Sequence, residues 1–220
     1  MVHIISFQLF FLFIFLIGRG FCNVVFKIFK RLNSENYEII DTPIYIFYPI
    51  FGLFLLGNLG VFLNFFMGIN NTVFYLFILI LIFLSNFIKK LNFKFNFVNL
   101  FYFIITPAIL SISSYTIGFA RDAGGYHLNV QNWIRETNLH FGLYNLNPQY
   151  GFSSLIDYIN SFFWLGENMI LLHYVNLSIF VSFLGFLFFN VVQKNNSFNF
   201  SVSLLVLIFG FLDNFGFEGG

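Results

Sequence analysis

Ile44–Met67 reads I-Y-I-F-Y-P-I-F-G-L-F-L-L-G-N-L-G-V-F-L-N-F-F-M, 24 residues without a charged side chain. At about 1.5 Å rise per residue, a helix of that length exceeds the roughly 30 Å hydrocarbon core of a bilayer. Gly52, Gly57 and Gly60 punctuate the run together with Asn58 and Asn64. Small residues at such spacing let helices approach closely in lipid. Reading this stretch as a transmembrane helix decides the fold class, because the whole chain shares its character. Hydrophobic residues make up 59% and charged residues 9%, and the mean hydropathy is +0.84. A soluble domain carries about 25% charge. A 220-residue chain this apolar cannot hide its surface in one water-soluble core, so an all-α integral membrane domain spanning residues 1–220 is expected, with about six transmembrane helices. The net charge of +1 gives no nucleic-acid footprint. The 39 Phe fit the codon bias of an AT-rich genome, so single Phe residues carry little weight.

Upstream, an apolar run from Val2 to Phe29 is interrupted at Gly18-Arg19-Gly20. Arg19 at that depth is expected to snorkel or to end the span early. Lys27, Lys30 and Arg31 open a polar connector that closes at Asp41-Thr42-Pro43. The lone cysteine, Cys22, excludes an intrachain disulfide and a Cys-based metal site. Phe21 stands before it where a lipidated cysteine needs a small residue, and no basic residue precedes the run, so the segment is expected to persist as a span.

Downstream, Val73–Ile88 is a nearly pure Phe, Ile and Leu run closed by Lys89, Lys90 and Lys94, and is expected to face lipid. A fourth span is expected from Val98 to Phe119, kinked at Thr106-Pro107 and made polar in its second half by Ser111, Ser113, Ser114 and Tyr115. Residues 151–164 are too short and polar to cross. Their polar positions Ser153, Ser154, Asp157, Asn160 and Ser161 share one helical face, which suits an amphipathic helix in the interface with Asp157 toward water. Glu167–Val192 and Phe198–Leu212 supply the fifth and sixth spans. Basic residues fall on alternate connectors, at 27–31, 89–94 and Lys194, while 68–72 has none. The positive-inside rule therefore places the N-terminus and an amphipathic loop at 120–166 outside the cytoplasm.

That loop carries the chemistry. Arg121–Tyr150 reads R-D-A-G-G-Y-H-L-N-V-Q-N-W-I-R-E-T-N-L-H-F-G-L-Y-N-L-N-P-Q-Y. Asp122 can cap the helix that follows, or serve as a general base or a ligand for a divalent cation. Tyr126 lies four residues on, on the same helical face, which Val130, Trp133 and Ile134 extend. His127 falls about 140° around a regular helix from Asp122, too far for the two to share a metal. Trp133 suits an interfacial anchor. Arg121 and Arg135 can bind phosphate bidentately or pair with Asp122 and Glu136. Gly124-Gly125 alone makes no phosphate-binding motif. His173, two turns into the fifth span, needs a cavity or a partner.

The combination of Asp122, Tyr126 and His127 after an apolar helix, followed by Gly142, Leu143, Asn145, Leu146 and Tyr150 to Leu155, resembles bacterial multi-pass membrane proteins related to the GT-C glycosyltransferases. The resemblance covers about thirty-five residues. It implies transfer of a sugar from a polyprenyl-phosphate-linked donor to an extracytoplasmic glycan or lipid acceptor at the bacterial cytoplasmic (inner) membrane. It implies Asp122 as catalytic base or metal carboxylate, with Mg or Mn as the divalent metal. Arg121, Tyr126, His127, Arg135 and Asp157 are the candidate substrate contacts. The loop follows a fourth span rather than the first, and the chain stops at Gly219-Gly220 where such enzymes continue through more helices, so an N-terminal portion of a longer protein is expected. Two other classes stay open: a transporter or flippase for a lipid-linked glycan, and a non-catalytic membrane scaffold.

Overall fold

The computed structural model describes residues 2–32, 44–69, 79, 96–113, 123–139, 141–142, 145, 148–151, 154–164, 169–193 and 200–206. The elements among them are helical and include no strand. Helix α1 is Val2–Leu32, and a 3₁₀ turn at Ile44–Phe47 leads into α2, Tyr48–Asn64. A third rod is built from α3 (Phe97–Leu100), a π turn at Phe101–Ile105 and α4 (Thr106–Ser113). A second π turn, Ala123–His127, opens α5 (Leu128–Glu136); α6 is Leu155–Phe163 and α7 is Ile170–Gln193. Among the described residues three helices are long and apolar enough to cross a membrane: Val2–Ile28, Ile44–Asn64 and Ile170–Val192. The expected span at 73–88 and most of the sixth lie outside the described residues.

Glycine decides how α1 meets α2. A Cβ on Gly18 would fall on the Tyr48 carbonyl oxygen and 2.7 Å from Gly52 N, and one on Gly52 would strike the Ile14 carbonyl. The two backbones therefore touch at this crossing, with Ile14 opposite Gly52 and Gly18 opposite Tyr48, so the helices run antiparallel. This corrects the expectation that Gly18-Arg19-Gly20 breaks the first span. The helix continues unbroken through it, and Gly18 serves interhelical approach. Arg19 is only 6% exposed. It lies inside the protein and neither snorkels nor ends the helix.

Pro107 shapes the third rod upstream of itself. Proline has no N–H, and its ring crowds the carbonyl one turn earlier. The rod answers with the π turn Phe101–Ile105, in which the Thr106 N–H reaches back five residues to the Phe101 carbonyl; π turns are a recognised way to absorb such a defect. Tyr102, fully buried, donates from its hydroxyl to the Ile46 carbonyl at 2.9 Å. Tyr45 donates to Asn99 Oδ1 at 2.6 Å. Both bonds fasten the rod to the start of α2. Gly185 of α7 leaves room for the Tyr102 ring. The aromatic residues set aside as codon bias turn out to form much of the core, with Phe7 and Phe11 wholly buried. Phe11 packs edge-on to Tyr102, and Phe10 to Phe163. Other aromatic and aliphatic side chains point outward: Phe54, Phe62, Phe66, Ile109 and Ile112 are all more than half exposed. An apolar exterior of this extent belongs against lipid.

Contacts also fix which ends lie together. Phe97 and Phe101 pack on Phe188, so the third rod begins beside the C-terminal part of α7 and runs antiparallel to it. Ser6 in the first turns of α1 bonds the Tyr174 hydroxyl near the start of α7 at 2.8 Å. The N-termini of α1 and α7 therefore share one end of the bundle with the C-termini of α2 and α4. That end carries α5 and α6.

Candidate functional site

The bundle end is built around the C-terminus of α2. Gly57 and Gly60 hold α6 close: a Cβ on Gly57 would lie 2.7 Å from Leu155, and one on Gly60 would lie 3.0 Å from Phe162. Asn64, 1% exposed, donates from Nδ2 to the Ile134 carbonyl at 3.0 Å and the Thr137 carbonyl at 2.9 Å, and weakly to Met67 at 3.5 Å. Its own carbonyl accepts from Leu139 N at 2.7 Å. One buried amide thus closes the C-terminus of α5, whose last carbonyls have no intrahelical partner. Asn64→Leu keeps the volume and removes the donors. It is expected to lower stability by about 2 kcal/mol, read from the shift of the thermal unfolding midpoint in lipid nanodiscs.

The inward stripe of α5 consists of Val130, Gln131 and Ile134, all buried, with His127 at its head. Sequence spacing grouped Tyr126 with Val130, Trp133 and Ile134. The structure moves the register: Trp133 is half-buried and edge-on to Tyr150 at 4.8 Å, and Tyr126 lies against the His127 ring at 4.0 Å. Both stripes obey regular helical spacing and share Val130 and Ile134; burial selects the one that runs through His127 and Gln131.

Helix α6 turns its polar face inward. Asp157, expected toward water, is 1% exposed. Its Oδ2 accepts from Ser154 N and Ser154 Oγ, both at 2.9 Å, in the reach-back geometry of a capping box. Its Oδ1 faces α5, where His127 Nδ1 and Gln131 Nε2 each lie at 3.1 Å. Ser161, also buried, donates to the Asp157 and Gln131 carbonyls at 2.7 and 3.2 Å. The polar stripe is real, but its partner is the polar stripe of α5. Burial, and then the adjacent Asp157 carboxylate, push the Tyr158 hydroxyl above its ordinary range.

Gln131 was absent from the residues singled out by sequence. Its spacing of four from His127 was the available signal, as Ser154-x-x-Asp157 was for the cap. Gln131 Oε1 is buried without a hydrogen-bond partner among the described residues, and flipping the amide would set oxygen against the Asp157 carboxylate. Arg135 lies over the Trp164 ring at 5.1 Å, so a cation–π contact joins the end of α5 to the end of α6. His173 stands in the first turn of α7 rather than two turns in, and is half-buried. Arg121 and Asp122 lie outside the described residues, as does Ser114–Tyr115. Among the described residues no three His, Cys, Asp or Glu side chains group as metal ligands; His127 and Asp157 spend their facing atoms on each other.

These features define a polytopic helical membrane protein with a buried polar cluster at one end of its bundle. Comparison of the chain with protein-family models, curated proteins and solved structures returns no match.

Proposed function

We infer that this chain acts as a membrane glycosyltransferase of the GT-C kind, moving a sugar from a polyprenyl-phosphate-linked donor to a glycan or lipid acceptor. The observation that carries the reading is the bundle end itself. The segment that follows Asp122 enters a polar cluster of His127, Gln131, Ser154 and Asp157 there, while the flanks are apolar enough to hold a lipid tail. A lipid-linked substrate needs both surfaces side by side. In this reading the end bearing α5 and α6 faces away from the cytoplasm, and exposed Lys27 marks the cytoplasmic end.

The reaction divides among the chain's own residues. Asp122 takes the proton of the acceptor hydroxyl as its oxygen bonds to the anomeric carbon. The bond to the donor phosphate breaks, and Arg121 stabilises the oxygen that leaves with the electron pair. Asp122→Asn keeps size and capping capacity while removing the base. It is expected to lower extracytoplasmic glycan at least about 100-fold in cells carrying the full-length protein, in line with loss of general-base catalysis. Normal glycan with a correctly inserted variant would overturn the assignment. Flux of a lipid-linked glycan across vesicles without covalent transfer would point to a flippase instead.

A further inference from the structure

We propose that His127 Nε2 is a hydrogen-bond acceptor for a sugar hydroxyl of the lipid-linked substrate, and that Asp157 is the positioning residue that makes it one. The identity of the sugar carrier rests on the transferase reading; the lock on the imidazole does not.

Asp157 is ringed by donors. Ser154 N, Ser154 Oγ and Gln131 Nε2 all give hydrogens to its carboxylate, so its Oδ1 is an acceptor toward His127 as well. The proton between them sits on His127 Nδ1, at 3.1 Å. A neutral imidazole protonated at Nδ1 leaves its lone pair on Nε2. A carboxylate on the far nitrogen fixes tautomer and ring orientation in this way at many functional histidines. Exposure gives the pair a direction: the His127 side chain is 33% exposed and the Asp157 side chain 2%. The imidazole is therefore the side of the pair that a ligand reaches. An acceptor nitrogen on the exposed side of the pair suits a ligand that brings hydroxyl donors, as a sugar does. The Tyr126 ring, 4.0 Å from the imidazole, supplies an apolar wall of the type sugars pack against.

The test is magic-angle-spinning NMR of the full chain, labelled with [15N]histidine, in lipid bilayers at alkaline pH. His127 is assigned by the resonance lost in His127→Gln. The expected wild-type state is protonated Nδ1 with bare Nε2. In Asp157→Asn the amide oxygen stays with Ser154, and its NH₂ turns to His127. The tautomer is then expected to reverse while helix content is retained. Adding polyprenyl-phosphate-linked glucose, mannose or galactose is expected to shift the His127 Nε2 resonance for at least one of them, with polyprenyl phosphate alone leaving it in place. An Nε2-protonated wild-type His127, an unchanged tautomer in Asp157→Asn, or no response to any of the three sugars would each overturn the proposal. A sugar-dependent shift together with normal glycan in Asp122→Asn would overturn the transferase reading and leave this site standing. Loss of glycan in Asp122→Asn without the tautomer lock would do the reverse.

Discussion

Gly18→Ala is expected to lower the stability of the purified protein by about 3 kcal/mol, the upper part of the range for overpacking. The added Cβ would occupy the position of the Tyr48 carbonyl oxygen and lie 2.6 Å from the Tyr48 carbonyl carbon. Both are backbone atoms, so no side-chain rotation relieves the clash. Either α1 and α2 separate, or one helix slides along the other. Separation is costly here because lipid supplies no hydrophobic force between helices, and close packing holds them together. Slippage would carry Phe11, Phe15 and Tyr48 out of their aromatic contacts. Gly124→Ala and Gly125→Ala provide the contrast. A Cβ at either meets nothing within 4 Å, and alanine restricts the unfolded chain, so each is expected to be neutral or to stabilise by up to about 1 kcal/mol. Denaturation in mixed micelles, followed by circular dichroism, measures all three. A loss below about 1 kcal/mol in Gly18→Ala would show that the crossing is loose.

The same glycines show what a sequence reveals of such a protein. Gly52, Gly57 and Gly60 were legible as points of close approach because in lipid there are few other reasons to interrupt an apolar helix. Their partners were not legible. Gly52 meets α1, whereas Gly57 and Gly60 meet α6, and spacing along one helix does not say which neighbour arrives. Gly18-Arg19-Gly20 was read as an interruption for the same reason: a glycine that makes room and a glycine that ends a helix look alike until the second backbone is present. Length and hydropathy did locate α1, α2 and α7 within a few residues of their bounds. Pro107 announced an irregularity, and the π turn before it is the form that irregularity takes.

The polar cluster was half legible. The stripe Ser154, Asp157 and Ser161 follows directly from helical periodicity. Periodicity identifies a shared face and is silent on its environment. Water was the default partner for that face, yet here it is another helix with a matching stripe, His127 and Gln131. That stripe was open to the same reading, since His127, Val130, Gln131 and Ile134 keep the ordinary i, i+3, i+4, i+7 spacing of one helical face.

Asp157→Ala is expected to destabilise the fold by about 3–5 kcal/mol, because it removes the one acceptor that serves three buried or half-buried groups on two elements. Ser154 N and Oγ lose the bonds that start α6, in itself about 1 kcal/mol. Gln131 Nε2 is left as a buried donor without an acceptor, at about 1–3 kcal/mol, and its Oε1 already has no partner among the described residues. His127 Nδ1 loses its anchor as well. Asp157→Asn keeps the shape and one oxygen, so it is expected to lose only about 1 kcal/mol. Chemical denaturation of the three proteins in nanodiscs gives the comparison, and a double-mutant cycle with His127→Ala separates the two halves of the carboxylate's work. If Oδ1 holds α5 against α6, His127 and Asp157 should couple by about 0.5–3 kcal/mol, the range for residues in direct contact. Coupling near zero would leave the carboxylate to Ser154 and Gln131, and His127 would then add nothing to the hold of α6 on α5.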